Sequence, residues 1–375
     1  MKTILFIYGT RPEAIKMAPL IKELQKYPNL FDVKICLTGQ HREMLDQTND
    51  FFDISCDYDL NLMTPNQTLF NITAQCLMGL EKILDTLSPD LIFVQGDTSS
   101  VMAGALSGAY KKIPVAHLEA GLRSGNKYSP FPEEINRIIT GHIANYHFAP
   151  TLMAMENLKN EGITDNVYIV GNTVIDALHL GLNIINHNDN LKKYQEYFHF
   201  LDFSNRIVLV TGHRRESFGS GFEQICQAIV TVAKEYQDVQ FVYPVHLNPL
   251  VQEPVNRILE NKKNIYLLRP LDYPFLLFLL EKCYYVLTDS GGIQEEAPTL
   301  GKPVLVMRDV TERQEGIDAG TALLIGTKYE NIVSSMKELL ENSSSYLKMA
   351  NAVNPYGDGT ASVKIAEILK KEFLK

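Results

Sequence analysis

Residues 289–309 read DSGGIQEEAPTLGKPVLVMRD and follow an apolar run, YYVLT, at residues 284–288. The apolar run is rich in β-forming residues and predicts a buried strand. Ser290, Gly291 and Gly292 then predict a tight turn, because two glycines remove the Cβ atoms. Ser290 is the expected N-cap of a helix that opens directly after the turn. Free backbone N–H groups and the positive end of the helix dipole would point into this turn, which makes it a candidate phosphate site.

The predicted helix carries two neighbouring acids, Glu295 and Glu296, which we place in its first turn, where carboxylates are favoured. One of them could reach a ribose diol. The segment GKP at 301–303 ends the helix, and the apolar run VLVM at 304–307 predicts the next strand. The alternative interpretation is an ordinary strand–turn–helix unit with a capping serine and two acids that suit the helix dipole.

The same alternation of strand and helix extends along the whole chain. Before residue 186 we predict strands at 2–8, 33–38, 91–94, 114–117, 146–148 and 167–170, with helices at 12–26, 69–87, 101–110 and 134–143. From residue 206 onward we predict strands at 206–210, 240–243, 265–268, 285–288, 303–307 and 322–325. Strands that alternate repeatedly with helices indicate parallel sheets covered by helices on both faces.

A length of 375 residues favours two domains over one, and a largely polar stretch at 186–205 predicts the boundary. We therefore predict an α/β protein with two Rossmann-like, doubly wound domains, residues 1–185 and residues 186–355. Ligand crevices lie at the carboxyl ends of parallel strands, so we expect the two domains to face a central cleft. Residues 356–375 form a third segment that contains a predicted amphipathic helix.

The composition excludes several classes of protein. A net charge of −9 and the lack of a basic run argue against a nucleic-acid-binding protein. The five cysteines are scattered and predict reduced thiols in the cytoplasm, not disulfides or a zinc site. No apolar run has the length of a signal peptide or a membrane span, so we expect a soluble protein. The first predicted strand is not followed by GxGxxG, and YxxxK is absent, which disfavours a nicotinamide-dependent sugar epimerase.

Three acidic residues of the first half, Asp97, Glu119 and Glu133, each follow a predicted strand or open a predicted helix. Neighbouring carboxylates can supply both the base and the acid of a proton transfer, because burial and like charge push their pKa values apart. The alternative is that Glu119 and Glu133 pair with Arg123 or Arg137 as structural salt bridges.

Two groups of basic residues also follow predicted strands. Arg11 and Lys16 bracket the first turn of the first helix, where a solvated helix face is the usual interpretation. The segment HRRE at 213–216 follows the strand at 206–210. A single histidine is more often structural, but flanking arginines favour a role for His213 in stabilising or protonating a leaving diphosphate.

Five stretches together resemble one enzyme family: GTRPEAIK at 9–16, QGDT at 95–98, HLEAGLR at 117–123, TGHRRE at 211–216, and the stretch at 289–309. In order and spacing, and nearly end to end, the chain is similar to the non-hydrolysing UDP-N-acetylglucosamine 2-epimerases. The resemblance implies a GT-B fold, a final helix that packs back on the first domain, and a homodimer.

The resemblance also implies roles for individual residues. The implied catalytic residues are Asp97, Glu119, Glu133 and His213, and which carboxylate is acid or base stays open. The residues implied to bind the substrate and UDP are Arg11, Lys16, Phe275, Ser290, Gly291, Gly292, Glu296 and Arg313. The loop PLDYPFL at 270–276 departs from the P-L-x-Y-x-x-F pattern of relatives, because Phe275 comes one place early.

The implied reaction removes the C2 proton of UDP-N-acetylglucosamine and expels UDP from C1. UDP then re-adds while a proton arrives at the opposite face, which gives UDP-N-acetylmannosamine. No metal and no redox cofactor is implied, and the sequence has no HExxH, EF-hand or Asp-rich metal loop. The alternatives are a hydrolysing relative that releases free N-acetylmannosamine, a GT-B glycosyltransferase that would need an acceptor, and a non-catalytic UDP-sugar sensor.

Relatives are activated by their own substrate at a second site, and the resemblance extends to the residues that they use. These are Gln40, Arg42, Glu43, Gln47, Arg215, Glu216 and His246. Some relatives have an arginine before a Gln-Thr pair where this chain has Asn66. The alternative is that these polar residues only border the substrate pocket.

Overall fold

The computed structural model describes residues 1–39, 42–63, 67–187 and 190–373, apart from the side chains of Arg42, Glu43 and Arg215. The chain divides into two compact units, Met1–Leu180 with Tyr356–Lys375, and Gly181–Pro355. The first change of unit lies inside a helix, before the polar stretch that predicted a domain boundary. The predicted division into 1–185, 186–355 and 356–375 stays a prediction.

The described strands of the first unit form one parallel sheet in the order β3-β2-β1-β4-β5-β6-β7. The strands are β1 (Lys2–Tyr8), β2 (Phe31–Leu37), β3 (Tyr58–Asp59), β4 (Leu91–Gln95), β5 (Val115–Leu118), β6 (Tyr146–Ala149) and β7 (Val167–Ile169). The helices between and after them are α1 (Arg11–Gln25), α2 (Arg42–Phe51), α3 (Leu69–Leu87), α4 (Ser99–Lys111), α5 (Glu133–Ile143), α6 (Leu152–Asn160) and α7 (Thr173–Asn186).

The second unit begins within α7, and its described strands form a parallel sheet in the order β10-β9-β8-β11-β12-β13. The strands are β8 (Arg206–Thr211), β9 (Val239–Pro244), β10 (Ile265–Leu268), β11 (Tyr285–Thr288), β12 (Val304–Val306) and β13 (Ala322–Leu324). The helices are α8 (Asn190–Tyr197), α9 (Ser220–Glu235), α10 (Pro249–Leu259), α11 (Tyr273–Lys282), α12 (Gly291–Glu296), α13 (Gln314–Asp318), α14 (Tyr329–Glu341) and α15 (Ser343–Ala350). The last helix, α16 (Ala361–Phe373), belongs to the first unit, where it packs on α1.

Apolar packing on both faces of the central strands explains why they read as continuous apolar runs. Residues 4–8 of β1 are fully buried. Phe6 stacks on Phe93 with ring centroids 4.9 Å apart, and Phe93 stacks on Phe148 at 6.0 Å. A strand that is covered on both faces has no polar side to alternate with the apolar one.

The order of the strands in each sheet indicates where ligands can bind. In the first sheet β1 lies between β2 and β4, and in the second sheet β8 lies between β9 and β11. Connections that leave a strand toward opposite sides of a sheet open a crevice at its carboxyl end. The loops after β1 and β4, and those after β8 and β11, therefore form the candidate ligand edges of the two units.

The predicted α/β fold is confirmed, and strand β3 and helix α8 are among the elements that were not predicted individually from the sequence. Strand β3 has only two residues, at an edge of the sheet, which is too short to give a pattern. Helix α8 lies in the polar stretch at 186–205, and Tyr194 is its one buried residue. None of the helices in the described part of the chain combines the length and apolar character that a membrane span requires.

Candidate active site

The loop after β1 is fixed by a buried acid, Glu13, in the first turn of α1. Its Oε2 accepts hydrogen bonds from the backbone N–H groups of Gly9 (3.1 Å) and Thr10 (2.8 Å), which completes a capping box. Its Oε1 accepts a hydrogen bond from Thr98 Oγ1, 2.9 Å away in the loop after β4. Burial raises the pKa of Glu13 to about 7 although these hydrogen bonds oppose the rise. Glu13 thus joins the two loops at this edge of the sheet.

Glu119 follows β5 and has a left-handed backbone, with φ 61°. Lys16 Nζ lies 2.5 Å from Glu119 Oε1, and the Gln95 amide donates a hydrogen bond to Oε2. Asn172 Nδ2 also donates to Oε1, at 3.2 Å. A non-glycine residue in this conformation is strained and marks a candidate functional position. The structure therefore brings together Lys16 and Glu119, two of the predicted site residues.

Asp97 follows β4 and is held from the first turns of α5. Arg137 donates to Asp97 Oδ2 through Nε at 2.8 Å, and its Nη2 lies 2.6 Å from the same oxygen. Asn136 Nδ2 donates to the Asp97 carbonyl oxygen at 2.8 Å. Burial alone would lower the pKa of Arg137, but Asp97 and Glu134 raise it. The side chain and backbone of Asp97 are both fixed by residues of one helix.

Glu133 is the first residue of α5, and among the described residues its buried Oε2 has no hydrogen-bond partner. The next residue, Glu134, is fully engaged: Oε2 accepts from Arg137 Nη1 at 2.9 Å, and Oε1 accepts from the N–H groups of Ser124 (2.9 Å) and Gly125 (3.1 Å). A buried carboxylate oxygen without a partner is costly in a folded protein, so it marks Glu133 as a candidate proton-transfer group.

The alternative was that Glu119 and Glu133 form salt bridges with Arg123 or Arg137, and the described residues do not show these pairs. Arg123 pairs with Glu161, with nitrogen–oxygen distances of 2.7 and 2.6 Å. Arg137 pairs with Asp97 and Glu134, so neither arginine has a salt bridge to Glu119 or Glu133 in the described residues. The i, i+3 spacing of Glu134 and Arg137 on a helix was the signal that could have identified this pair.

In the second unit, His213 follows β8 and is held by Asp289, the residue after β11. The backbone N–H groups of His213 and Arg214 donate to Asp289 Oδ2 at 2.7 and 2.8 Å. His213 Nδ1 lies 3.4 Å from Asp289 Oδ1, and the rings of His213 and His246 stack with centroids 5.3 Å apart. Burial lowers the pKa of His213 despite the opposing charge of Asp289, and His246 and Arg214 add to the lowering. Sequence reasoning assigned no role to Asp289.

The predicted phosphate turn differs in detail from expectation. Gly291 and Gly292 are the first residues of α12, not a separate turn before it. Ser290 occupies the N-cap position, with φ −81° and ψ 130°, but its side chain makes no capping hydrogen bond. Glu295 and Glu296 lie at the end of this six-residue helix, so their predicted place in the first turn is wrong. Only Asp289 and Ser290 lie between β11 and α12, so both glycines belong to the helix.

Arg313 lies directly over Gly291. A Cβ built on Gly291 would come within 3.1 Å of the Arg313 Cζ atom, so a larger residue would require the guanidinium to move by a few tenths of an ångström. Arg313 Nε donates to Glu295 Oε1 at 2.9 Å, and Nη1 donates to Glu312 Oε1 at 2.9 Å. Burial by itself would raise the pKa of Glu312, but Arg313 and Arg308 lower it to about 2. The structure thus brings predicted residues Gly291 and Arg313 together.

Two further predicted UDP-binding residues lie on or against α11. Glu296 Oε1 accepts a hydrogen bond from Tyr273, whose hydroxyl is 3.0 Å away. The Phe275 ring packs against Tyr194 and Tyr197 of α8, with centroids 5.0 and 4.6 Å apart. That the Phe275 ring borders a uracil stays a prediction, and the aromatic contacts with α8 were not foreseen.

The residues predicted for a second site fall in both units. Gln40 lies outside the described residues, and so do the side chains of Arg42, Glu43 and Arg215. Gln47 is exposed on α2 of the first unit. In the second unit, His246 stacks on His213, and Glu216 Oε1 accepts from Arg308 Nε at 2.6 Å. Arg11 is the first residue of α1, one place before the predicted start of this helix at Pro12.

Comparison with known proteins identifies the family to which these residues belong. The profile of the family described as UDP-N-acetylglucosamine 2-epimerase matches residues 22–370. The chain belongs to this family. The UDP-N-acetylglucosamine 2-epimerase of Escherichia coli strain K12 is 52% identical to it over 369 residues, which cover 98% of each chain.

Solved structures of family members have the same fold. The UDP-GlcNAc 2-epimerase from Neisseria meningitidis, solved bound to UDP-GlcNAc, is 48% identical, with a TM-score of 0.92, and the match covers 98% of this chain and 100% of that one. The Methanocaldococcus jannaschii enzyme, solved with UDP-GlcNAc and UDP, is 34% identical, with a TM-score of 0.82 and coverage of 98% and 99%. The predicted family and the GT-B fold class are confirmed.

Proposed function

We propose that this protein interconverts UDP-N-acetylglucosamine and UDP-N-acetylmannosamine by reversible epimerisation at C2, without hydrolysis. The observation that carries the proposal is the set of three carboxylates in the first unit of a chain that belongs to this family. Each carboxylate has different surroundings: Lys16 holds Glu119, Arg137 holds Asp97, and Glu133 keeps a buried oxygen without a partner among the described residues. Different surroundings suit carboxylates to different proton-transfer roles.

The proposed reaction has two balanced half-steps. A carboxylate takes the C2 proton, the electron pair of the C–H bond forms a C1–C2 double bond, and the C1–O bond breaks to release UDP. UDP then re-adds through its oxygen to C1, while a proton from an acid reaches C2 from the other face. Asp97, Glu119 and Glu133 supply the base and the acid.

The second unit contributes the groups proposed to bind UDP. Ser290, Gly291, Gly292 and Arg313 surround the start of α12, where backbone N–H groups and a guanidinium suit a diphosphate. His213 is proposed to stabilise the leaving UDP. The negative charge of the diphosphate would raise the lowered pKa of this histidine, and Asp289 beside Nδ1 would support the protonated ring. Arg11, Lys16, Phe275 and Glu296 complete the proposed substrate-binding set.

Incubation with UDP-N-acetylglucosamine followed by anomeric-proton NMR tests the proposal. We expect a stable mixture of two UDP-sugars, reached from either side. In heavy water, deuterium should appear at C2. Release of free N-acetylmannosamine with UDP would indicate a hydrolysing enzyme, and UDP-sugar product without deuterium at C2 would exclude the elimination route.

Amide substitutions test the carboxylates individually. Asp97→Asn, Glu119→Gln and Glu133→Gln keep the side-chain shape but remove the titratable group. Each should lower kcat by at least about 10²-fold, the usual contribution of a general acid or base. The matched control is Glu161→Gln. In the described part of the chain Glu161 forms a salt bridge with Arg123, and it has no proposed contact with substrate. A wild-type rate in any of the three variants removes that residue from the catalytic set.

We further propose that UDP-N-acetylglucosamine activates the enzyme at a second site formed by the residues Gln40, Arg42, Glu43, Gln47, Arg215, Glu216 and His246. The ring stack of His213 with His246 supports coupling, because it connects a proposed catalytic residue to a proposed activator residue. An activator can shift an equilibrium between two states only by its different affinities for them. Starting from UDP-N-acetylmannosamine alone, we expect a lag that a trace of UDP-N-acetylglucosamine removes. A linear reverse rate from the start would leave a single-site enzyme.

A homodimer in the cytoplasm completes the proposal. Four of the five cysteines are buried and free, and Cys56 is free and exposed, which suits a reducing compartment. Size-exclusion chromatography with light scattering tests the dimer, because the monomer mass is 42.3 kDa. A mass near the monomer value across the micromolar range would contradict it.

A further inference from the structure

Side chains from different parts of the first unit hold the Glu119 carboxylate. Lys16 comes from α1, Gln95 from the end of β4, and Asn172 from the segment directly before α7. Lys16 belongs to the proposed substrate-binding set and Gln95 ends a buried strand. Asn172 is neither a proposed substrate-binding residue nor part of a strand. Its other contacts therefore have to explain why it lies beside Glu119, whose backbone is strained.

Among the described contacts, each polar group of the Asn172 side chain has a partner that fixes its direction. The Oδ1 atom accepts a hydrogen bond from the Val174 N–H group at 3.0 Å, at the start of α7. Because the oxygen is directed at this N–H group, the Nδ2 atom is directed at Glu119 Oε1, 3.2 Å away. Asn172 is 3% exposed, so water cannot easily replace either contact.

The backbone of Asn172 is fixed as firmly as its side chain. Its N–H group donates to the Tyr356 carbonyl oxygen at 2.7 Å. Tyr356 is the residue at which the chain returns to the first unit, and it forms a small buried cluster with Val174 and Ile175. The neighbouring Gly171 has φ 94° and packs against Gly357, where a Cβ on Gly171 would lie 3.4 Å from the Gly357 Cα atom. The amide is thus presented to Glu119 from a rigid junction.

We propose that Asn172 is a positioning residue for Glu119, which orients the carboxylate and, as an uncharged donor, stabilises its charged form. The inference rests on the proposed function, because it assumes that Glu119 acts in the reaction. A hydrogen bond from a neutral donor to a carboxylate favours the ionised state and restricts its rotation. Among the described residues, the charged and titratable groups near this carboxylate include the Lys16 ammonium group and His117, whose pKa is lowered to about 4 by burial.

Two substitutions separate this role from the capping role of the same side chain. Ser and Asp are about as effective as Asn at accepting a hydrogen bond at a helix N-terminus. Asn172→Ser therefore keeps an acceptor for Val174 but removes the donor to Glu119. Asn172→Asp also keeps the acceptor but places a second negative charge beside Glu119.

The expected result is a graded loss of kcat with a preserved fold. Asn172→Ser should lower kcat about tenfold, the low end for a hydrogen bond to a charged group, because two other donors remain. Asn172→Asp should lower kcat by about a further tenfold at neutral pH, since like charge disfavours the ionised form of Glu119. The limb of the kcat–pH profile that reports Glu119 should move to higher pH in the Asp variant. A residue that only capped α7 would give neither the grading nor the pH shift.

Asn145→Asp is the matched control. Asn145 Oδ1 also accepts a backbone hydrogen bond, from Val115 at 2.9 Å, but at the opposite end of β5 from Glu119. This variant should keep the wild-type kcat and pH profile. The melting temperature of every variant is measured alongside the assay. If Asn172→Asp has a lowered melting temperature, the test depends on Asn172→Ser alone.

Glu119→Gln, measured in the same series, separates the possible failures. If it loses activity while folded Asn172 variants keep the wild-type rate and pH profile, the positioning role is overturned and the proposed function stands. If Glu119→Gln itself keeps the wild-type rate, the proposed role of Glu119 is wrong, and the inference fails with it.

Discussion

Removing the Arg137 guanidinium should destabilise the first unit and slow the reaction, because this group holds two acids at once. Arg137 contacts Asp97 at 2.6 and 2.8 Å and Glu134 at 2.9 Å, and its side chain is 9% exposed. Arg137→Met fills a similar volume without charge. In this variant Asp97 and Glu134 both lose their guanidinium partner, and the Glu134 side chain is only 2% exposed.

Breaking a buried ion pair by removal of one partner costs about 3–5 kcal/mol. The lower end of this range applies here for two reasons. The Asp97 side chain is 25% exposed and can be hydrated. Glu134 keeps its hydrogen bonds from the Ser124 and Gly125 N–H groups. We therefore expect Arg137→Met to lower the free energy of unfolding by about 3 kcal/mol. The double variant Arg137→Met/Glu134→Gln should recover part of this loss, because one buried charge is removed.

Urea unfolding and the epimerase assay together decide the outcome. The control is Arg257→Met, because Arg257 also pairs with two acids, Glu253 and Glu223, but its side chain is 52% exposed. Exposed pairs contribute little, so the control should unfold as the wild type does. Arg137→Met should also lower kcat, because Asp97 loses its orientation. The affinity for UDP should fall by a smaller factor than kcat. If Arg137→Met unfolds at the same urea concentration as the control, the reasoning about the buried pair is wrong.

Two further predictions concern the UDP site and the pH dependence of stability. A Cβ on Gly292 would have its nearest neighbour, a Glu296 oxygen, at 3.8 Å, so Gly292→Val should fold. It should bind UDP about tenfold or more weakly by calorimetry, because the added side chain blocks the close approach that a charge-assisted hydrogen bond to the diphosphate needs. Burial lowers the pKa of His117 and of His147 to about 4 from an ordinary value near 6.5. The unfolded chain thus binds more protons between pH 6.5 and 4, and each histidine should remove up to about 3 kcal/mol of stability as the pH falls through this window. Glu13, with its pKa raised to about 7, opposes part of this loss, and a urea midpoint that rises between pH 6.5 and 4 would contradict the prediction.

The strands and helices that could be predicted have a complete apolar pattern and residues that mark where they begin and end. Helix α3 matches its predicted bounds because a capping threonine, Thr68, precedes it and Ser88, in the left-handed conformation, ends it. Strand β10 matches because it is a short apolar run between polar segments. Helix α8 was missed because seven of its eight residues are not buried, and its stability comes from aromatic contacts with α11 that no local pattern reports.

The candidate site was predictable by residue type and position along the chain, but not by partner. The sequence placed Asp97, Glu119 and Glu133 after strands or at a helix start, as the structure does. It could not show that Arg137 holds Asp97 or that Arg123 holds Glu161, because partners far apart in sequence meet only through the fold. The capping-box spacing from Thr10 to Glu13 was visible in the sequence, whereas the bond from Glu13 to Thr98 depends on β1 lying beside β4.

Glu119 and Asp97 are held in a different way from Asp289, and the difference bears on what can move during catalysis. Glu119 and Asp97 are held by side-chain donors, Lys16 and Arg137 among them. Asp289 is held by two backbone N–H groups, of His213 and Arg214. A side-chain donor can rotate toward a bound phosphate or sugar, but a backbone donor moves only with its loop. We therefore expect substrate binding to exchange partners at the carboxylates of the first unit, while the contact between Asp289 and His213 stays fixed and keeps the histidine aimed in one direction.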